Sequence, residues 1–180
     1  MDEDRGPERT RVNPLAARLS HWTTDSSRGQ AFGRWTSKRL ALPQLRRLTS
    51  GAIPWTQMKR PITEATVALV TTGGVHLRRD PPFNASSDPS FRVIPRDAEP
   101  GDLAITHQAY DCRDALRDIN LVFPLQRLRE LEAEGVIGRL AAEEYGFGLV
   151  DFGAKLIGPG REVATRLRDD GVDLALLVPA

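Results

Sequence analysis

Two histidines, His76 and His107, each follow an apolar run that is typical of a core strand, and they are the residues best suited to acid–base chemistry. Imidazole titrates near neutral pH, so either ring could act as a general acid or base in a shared crevice. With Asp111 and Cys112 they could also bind a metal ion, but their spacing matches no strong metal motif. Spacing alone favours the simpler interpretation, in which a loop histidine is structural or exposed.

Gly73 and Gly74 come directly after Thr72, where the uncharged run 66–72 ends. Neither the dinucleotide-binding glycine spacing nor the P-loop lysine is present, so these glycines are not a nucleotide fingerprint. Two interpretations remain. In the first, the glycines form a tight turn, which is the interpretation that the glycines alone favour. In the second, their bare backbone amides bind a carboxylate or another anion.

Cys112 is the only cysteine, which excludes an internal disulfide and makes a reducing cytoplasm the simplest setting. A nucleophilic thiol would require a depressed pKa, and Arg113 is opposed by Asp111 and Asp114. An inert thiol is therefore favoured. The acidic series that ends at Asp118 is expected to supply N-terminal charge to a short helix.

The 180 residues are 40% apolar and 27% charged, which is typical of a soluble globular protein. No apolar run is long enough to span a bilayer, and the acidic start is not a secretory signal. We therefore expect a cytoplasmic protein without a membrane partner.

The charges are distributed unevenly along the chain. Residues 1–60 carry twelve Lys or Arg against five Asp or Glu, whereas residues 61–180 carry thirteen against nineteen. We expect a basic, largely disordered or loosely helical arm over 1–52, followed by a domain over 53–180. The arm could bind an anionic surface, but no recognition motif accompanies its charge, so nucleic acid is not the expected partner.

Apolar runs alternate with helix-like segments, which predicts βαβ units and a mostly parallel sheet. We expect an α/β domain with a Rossmann-like or flavodoxin-like three-layer fold. The predicted strands are 66–72, 103–106, 136–140 and 172–178, with a short edge strand at 91–94. Helices are predicted from Pro124 and after Pro159-Gly160, the second with Val163, Ala164 and Leu167 inward. Tyr145-Gly146-Phe147-Gly148 is expected to be a flexible loop. Both histidines would then lie at the carboxyl edge of the sheet, where ligands bind.

From about Pro54 onward the sequence resembles the selenoprotein B family of glycine, sarcosine, betaine and D-proline reductases, most of all its D-proline reductase members. The segments that carry the resemblance are Val67 to Leu77, Phe83-Asn84, Phe91 to Pro95, His107 with Tyr110-Asp111, Asp118-Ile119-Asn120, Phe123-Pro124, Arg127-Leu128 with Glu130-Leu131, Tyr145-Gly146-Phe147 and Gly171-Val172-Asp173.

The resemblance implies reductive cleavage of a carbon–nitrogen bond in an amino acid or its N-methylated form. A selenolate attacks the α-carbon, a pyruvoyl group on a partner subunit activates the amine, and a thioredoxin-like or dithiol donor supplies electrons. Cys112 is not the counterpart of the selenocysteine. An oligomer with the pyruvoyl-bearing subunit is expected, and no metal.

The resemblance also implies roles for residues near the glycine turn. Thr72, Gly73, Gly74 and His76 would line the substrate pocket, and the other implied site residues are Tyr110, Asp111 and His107. His107 would be the proton donor or the substrate anchor. The alternative is a non-catalytic module that binds a small carboxylate or a sister subunit through the same crevice.

The last expectation concerns the segment Val172–Val178, which has the sequence of a buried strand. A parallel core strand normally leads into a crossover helix, so its apolar surface is expected to lie bare here. In the resembling family the selenocysteine follows this segment. We therefore expect a UGA codon after Ala180 and a domain that is incomplete at its C-terminus.

Overall fold

The computed structural model describes residues 56–84, 87–149 and 153–179 of the chain. The chain divides into two units after Ile53, and all described residues belong to the second, Pro54–Ala180. The arm predicted for residues 1–52 lies outside the described residues, so its conformation stays a prediction.

β1 (Thr66–Thr71) is the central strand of a five-stranded sheet, and all but one of its residues are buried. Its uncharged, β-branched and aliphatic sequence suits a strand that is covered on both faces. Its parallel partners are β5 (Arg139–Leu140), β6 (Glu143–Phe147) and β7 (Leu174–Val178), and β3 (Phe91–Pro95) runs antiparallel to β6 at the edge. The predicted mostly parallel sheet, with an edge strand near residue 91, is confirmed.

Two α-helices, α1 (Leu125–Ala133) and α2 (Ile157–Asp169), pack on opposite faces of this sheet. Successive side chains of a strand point to opposite faces of the sheet. Leu69 of β1 belongs to the hydrophobic cluster that includes residues of α1, whereas Val70 packs against the cluster that includes residues of α2. The result is an α/β fold with helices in the outer layers. The finer assignment as Rossmann-like or flavodoxin-like stays a prediction.

A separate two-stranded antiparallel ribbon is formed by β2 (Val75–Leu77) and β4 (Leu103–Ile105). The segment 103–106 was expected to be a strand of the main sheet, and that placement is wrong. The chain leaves the sheet directly after β1, and the Thr106 N–H then donates to the Gly74 carbonyl at 2.8 Å, which extends the ribbon to the turn. β4 therefore forms its backbone hydrogen bonds with β2 and not with a strand of the main sheet.

The loop predicted at 145–148 is also wrong, because most of it forms β6. A Cβ atom on Gly146 would lie 1.9 Å from the Val75 carbonyl oxygen, and one on Gly148 would lie 2.7 Å from the Phe83 ring. The glycines here allow the ribbon and Phe83 to approach β6 closely, and they do not provide flexibility.

Four smaller expectations are corrected. Pro159 lies within the first turn of α2, where its missing N–H costs nothing. Ala164 is exposed on that helix. The strand expected over 136–140 is limited to β5. No α-helix forms over 111–118, and Asp118 instead caps a short 3-10 helix, Ile119–Leu121, by accepting from the Asn120 N–H at 3.0 Å.

β7 exposes apolar side chains, as the sequence predicts. Leu177 is 70% exposed, and Leu174 and Leu176 are 37% and 38% exposed. Among the described residues, β1 is the only strand that pairs with β7. This uncharged edge, without proline, has the properties of a surface that another element covers.

Glu144 is a fully buried carboxyl group, and no pattern in the sequence predicts its burial. β5 and β6 pair with the two ends of the same edge of β1, and between them the Leu69 N–H would lack a partner. Glu144 Oε2 accepts from this N–H. Burial, opposed in part by that bond and by Arg96, raises the pKa of Glu144 to about 8.

We expect Glu144→Gln to flatten the pH dependence of stability. The pKa of Glu144 is about 8 in the folded protein against an ordinary 4.5, so unfolding releases a proton between these values and the free energy of unfolding falls as pH rises. The slope is roughly 1 kcal/mol per pH unit, and glutamine removes it while keeping an acceptor for Leu69.

Urea denaturation at pH 5, 6, 7 and 8 measures this slope. Glu130→Gln, on the exposed face of α1 beside Arg127, is the matched control and should keep the wild-type slope. Parallel stability curves for the Glu144→Gln variant and the wild type would contradict the assigned protonation.

Candidate active site

The carboxyl end of β1 is shaped by the backbone of Gly74. This residue has φ +71°, a left-handed conformation that favours glycine. Its N–H donates to the Phe147 carbonyl at 2.9 Å, and its own carbonyl accepts from the Thr106 N–H. A Cβ atom here would lie 2.3 Å from the Thr106 carbonyl oxygen. Gly74 therefore joins β1, β6 and the ribbon at one point.

The turn leaves no bare amide among its three central residues. Thr72 N–H donates to the Val178 carbonyl at 3.1 Å, and Gly73 N–H donates to Thr71 Oγ1 at 3.0 Å. With the Gly74 N–H bonded to Phe147, the hypothesis that these amides receive an anion is wrong. The glycines form a tight turn, which was the simpler of the two interpretations.

His76 lies inside β2 and is only 4% exposed. Its Nδ1 lies 2.8 Å from the Leu77 carbonyl and therefore carries the proton, so Nε2 accepts from the Thr106 hydroxyl at 2.9 Å. Its ring meets Phe83 edge-on, with centroids 5.7 Å apart. Both nitrogens have protein partners, so the geometry favours a role for His76 in holding the ribbon rather than in contacting substrate.

Tyr110 and His107 lie together beside the glycine turn. The Tyr110 hydroxyl donates to the Gly73 carbonyl at 2.9 Å, which fixes the phenol against the end of β1. The His107 ring packs against the Tyr110 ring, with centroids 4.7 Å apart and a 44° angle between planes. The chain thus brings together three of the predicted site residues.

The electrostatics of His107 favour a neutral ring. Partial burial lowers the pKa of His107, and the Ala109 N–H donates to Nδ1 at 3.2 Å. The proton of the neutral ring is therefore on Nε2, and no group in the described part of the chain accepts from it. His107 offers one hydrogen-bond donor at the end of β1.

Cys112 has the properties of an inert thiol. Burial raises the pKa of the Cys112 thiol, and the Asp111 carboxylate adds to this, while a hydrogen bond with Tyr110 opposes it. Its Sγ contacts the carbonyl oxygens of Tyr110 and His107 at 3.6 and 3.8 Å. The pKa of Tyr110 is also raised by burial, with Cys112 contributing, so the phenol stays protonated.

The remaining predicted residues lie at the rim of this cluster. Asp111 is exposed and pairs with Arg113, and Arg113 Nε lies 2.8 Å from its carboxylate. Thr72 is half-buried and joins the site through its backbone. Over residues 56–84, 87–149 and 153–179, no three His, Cys, Asp or Glu side chains are grouped to hold a metal ion.

Thr106 is the residue of the site that the sequence did not single out. It donates its N–H to Gly74 and its hydroxyl to His76, so it connects the turn to the ribbon. A threonine at the end of an apolar run carries no signal of such a role. Only the antiparallel pairing of β2 with β4 reveals it.

The structure defines an α/β protein with a mostly parallel sheet and a cluster of polar side chains at the carboxyl edge, which is where ligands bind in sheets of this class. The sequence profile of the glycine/sarcosine/betaine reductase selenoprotein B family matches residues 41–180. The chain belongs to this family, which confirms the resemblance inferred from the sequence. No solved structure matches the chain.

Three curated relatives are similar to this chain. D-proline reductase subunit gamma of Acetoanaerobium sticklandii is 42% identical over 68% of the chain and 52% of its own length. Glycine reductase complex component B subunit gamma of Carboxydothermus hydrogenoformans is 29% identical over 97% of the chain and 38% of its own length. Sarcosine reductase complex component B subunit beta of Peptoclostridium acidaminophilum is 32% identical over 69% of the chain and 30% of its own length.

The chain therefore spans about half the length of the first of these relatives and about a third of the other two. No helix in the described ranges is both long and apolar enough to cross a bilayer.

We expect Gly74→Ala to destabilise the protein more than Gly135→Ala. Both glycines have φ +71°, so alanine costs about 1–2 kcal/mol at either position. A Cβ at Gly135 meets nothing within 4 Å, whereas at Gly74 it meets the Thr106 carbonyl, which adds roughly 1–3 kcal/mol. Equal losses in denaturant unfolding would show that the turn has room for a side chain.

Proposed function

We propose that this chain is part of a reductase that cleaves the carbon–nitrogen bond of an amino acid or an N-methylated amino acid. The observation that carries the proposal is the bond from the Tyr110 hydroxyl to the Gly73 carbonyl, since it places His107 beside the turn at the carboxyl end of β1. The names of the relatives support the substrate class, which comprises D-proline, glycine, sarcosine and betaine.

In this proposal His107 anchors the substrate. A proton donor at neutral pH would have to be charged, and burial lowers the pKa of His107, which favours the neutral ring. Neutral His107 presents Nε2–H, which can donate to the substrate carboxylate. Tyr110 keeps the imidazole at its position through ring contact and does not itself titrate near neutral pH.

The proposed nucleophile is a selenocysteine encoded just after Ala180. The end of β7 supports this position for the nucleophile. The Val178 carbonyl accepts from the Thr72 N–H, so the strand ends beside the glycine turn. The described residues provide no activated alternative, since burial raises the pKa of the Cys112 thiol. A selenol ionises more readily than a thiol, which suits attack on the α-carbon.

The proposed partners are a pyruvoyl-bearing subunit, which would hold the substrate amine, and a thioredoxin-like or dithiol electron donor in a reducing cytoplasm. Assembly is supported by the exposed leucines of β7, of which Leu177 is 70% exposed. The relatives are named as subunits and components of complexes. Small-carboxylate binding or subunit assembly without chemistry is the second candidate, favoured by the lack of an activated nucleophile among the described residues.

The proposal is tested on the complete selenium-loaded polypeptide with its partner subunit and a dithiol. Turnover is measured with D-proline, glycine, sarcosine and betaine. We expect His107→Ala to raise KM by roughly 10–100-fold, the cost of one hydrogen bond to a carboxylate, and His107→Gln to recover part of it. Tyr110→Phe should lower kcat/KM by about tenfold, because the phenyl ring has no hydroxyl group to donate to the Gly73 carbonyl and is no longer fixed beside His107.

The matched control is Tyr145→Phe, which removes the chain's other phenol hydroxyl, bonded to Glu143 at 2.9 Å, and should leave turnover unchanged. Turnover of none of the four substrates, or turnover that His107→Ala leaves intact, would contradict the proposal. Ligand binding that depends on His107 without any turnover would favour the second candidate. A UAA or UAG codon after Ala180 would exclude the proposed selenocysteine.

A further inference from the structure

A second cleft lies at the other end of the β2–β4 ribbon, away from the glycine turn. Its volume is about 380 Å³, and the residues that matter for its chemistry are Leu77, Arg78, Arg79, Asp97, Ala98 and Asp102. The ribbon is three residue pairs long, from Val75↔Ile105 to Leu77↔Leu103, so the cleft is on the order of 10 Å from the candidate active site. The two sites therefore share a structural element but no side chain.

The walls of this cleft are fixed by hydrogen bonds. The Arg78 N–H donates to the Asp102 carbonyl at 2.7 Å, and Arg78 Nε donates to the Gly101 carbonyl at 2.8 Å. Asp102 and Glu99 cap each other at the turn before β4, and Glu99 also pairs with Arg129 at 2.8 Å. A cleft with such walls is largely preformed, which lowers the cost of binding a ligand.

Two charged groups in the cleft lack partners among the described residues. Neither the Arg79 guanidinium nor the Asp97 carboxylate makes a hydrogen bond or an ion pair with any residue that the structure describes, and they do not pair with each other. Arg78 and Asp102, in contrast, have roles in the walls. Arg79 and Asp97 are exposed to solvent, and they line the cleft together with two buried apolar residues, Leu77 and Ala98.

We propose that this cleft binds a small zwitterionic amino acid, with its carboxylate on Arg79 and its ammonium on Asp97. A simple anion of the same size would face the uncompensated Asp97, and a simple cation would face Arg79. A ligand with both charges pairs with both groups at once, and such charge-assisted bonds are stronger than bonds between neutral groups. The volume is near the lower limit for ligand sites, about 300 Å³, which suits a small molecule.

This site does not depend on the proposed reductase activity. Its ligand is defined by Arg79 and Asp97, whereas the proposed substrate site is defined by His107 and Tyr110. The binding is therefore tested on the complete polypeptide, without the partner subunit or a reductant, so that no turnover accompanies it.

The probe is D-proline, compared with N-acetyl-D-proline, which lacks the ammonium, and D-prolinamide, which lacks the carboxylate. Amide NMR signals of Arg79, Asp97 and Ala98 are followed during titration. We expect saturable shifts with D-proline and at least tenfold weaker binding of each derivative, since each loses one charge-assisted bond. Arg79→Gln and Asp97→Asn should each weaken D-proline binding at least tenfold.

Arg117→Gln and Asp114→Asn are matched controls, because these side chains form an exposed ion pair outside the cleft. They should leave binding unchanged, and a thermal unfolding midpoint recorded for every variant confirms that the fold is intact. Equal binding of N-acetyl-D-proline, full binding by Arg79→Gln, or the absence of saturable shifts would overturn the proposal. So would binding that His107→Gln abolishes and Arg79→Gln does not, which would place the ligand at the candidate active site.

Discussion

The backbone of Gly74 is the constraint on which the rest of this structure depends. Its N–H binds the Phe147 carbonyl of β6 and its carbonyl binds the Thr106 N–H beside β4, so one residue joins the main sheet to the ribbon. The left-handed φ of +71° turns the chain out of the sheet, and a Cβ atom at this position would lie 2.3 Å from the Thr106 carbonyl oxygen, so only a hydrogen atom fits there. Because His107 follows Thr106 directly, the same bonds set where the imidazole can lie.

The parts of the fold that could be predicted from the sequence are those whose cause is local. The uncharged run of β1 and the apolar stripe of α1 after Pro124 carry their own periodicity, and both are present. The ribbon and β6 could not be predicted, because they depend on contacts distant in sequence. By residue type, Gly146 predicts a loop and Glu144 predicts an exposed position. In the structure Gly146 packs against Val75, and Glu144 is buried because it accepts from the Leu69 N–H.

In the candidate site, too, the sequence predicts which residue types are present but not their environment. The sequence singled out both histidines, but it could not separate their roles, since each follows an apolar run. The structure separates them by burial and bonding. His76 has both ring nitrogens bonded inside the ribbon, whereas His107 Nε2–H lies next to Tyr110 and has no acceptor among the described residues. Arg79 and Asp97, which have no partner within the part of the chain that the structure describes, had no sequence signal, because only the ribbon and the turn before β4 bring them into one cleft.

We expect the glycine turn and the ribbon to form one rigid support for His107 and Tyr110. Native-state hydrogen exchange at the Gly74 and Thr106 amides measures this most directly, because both donate to backbone carbonyls across the junction. We expect these two amides to exchange as slowly as the amide of Leu69 in the centre of β1. Exchange of the Gly74 and Thr106 amides at the rate of an exposed loop, with Leu69 still protected, would contradict it.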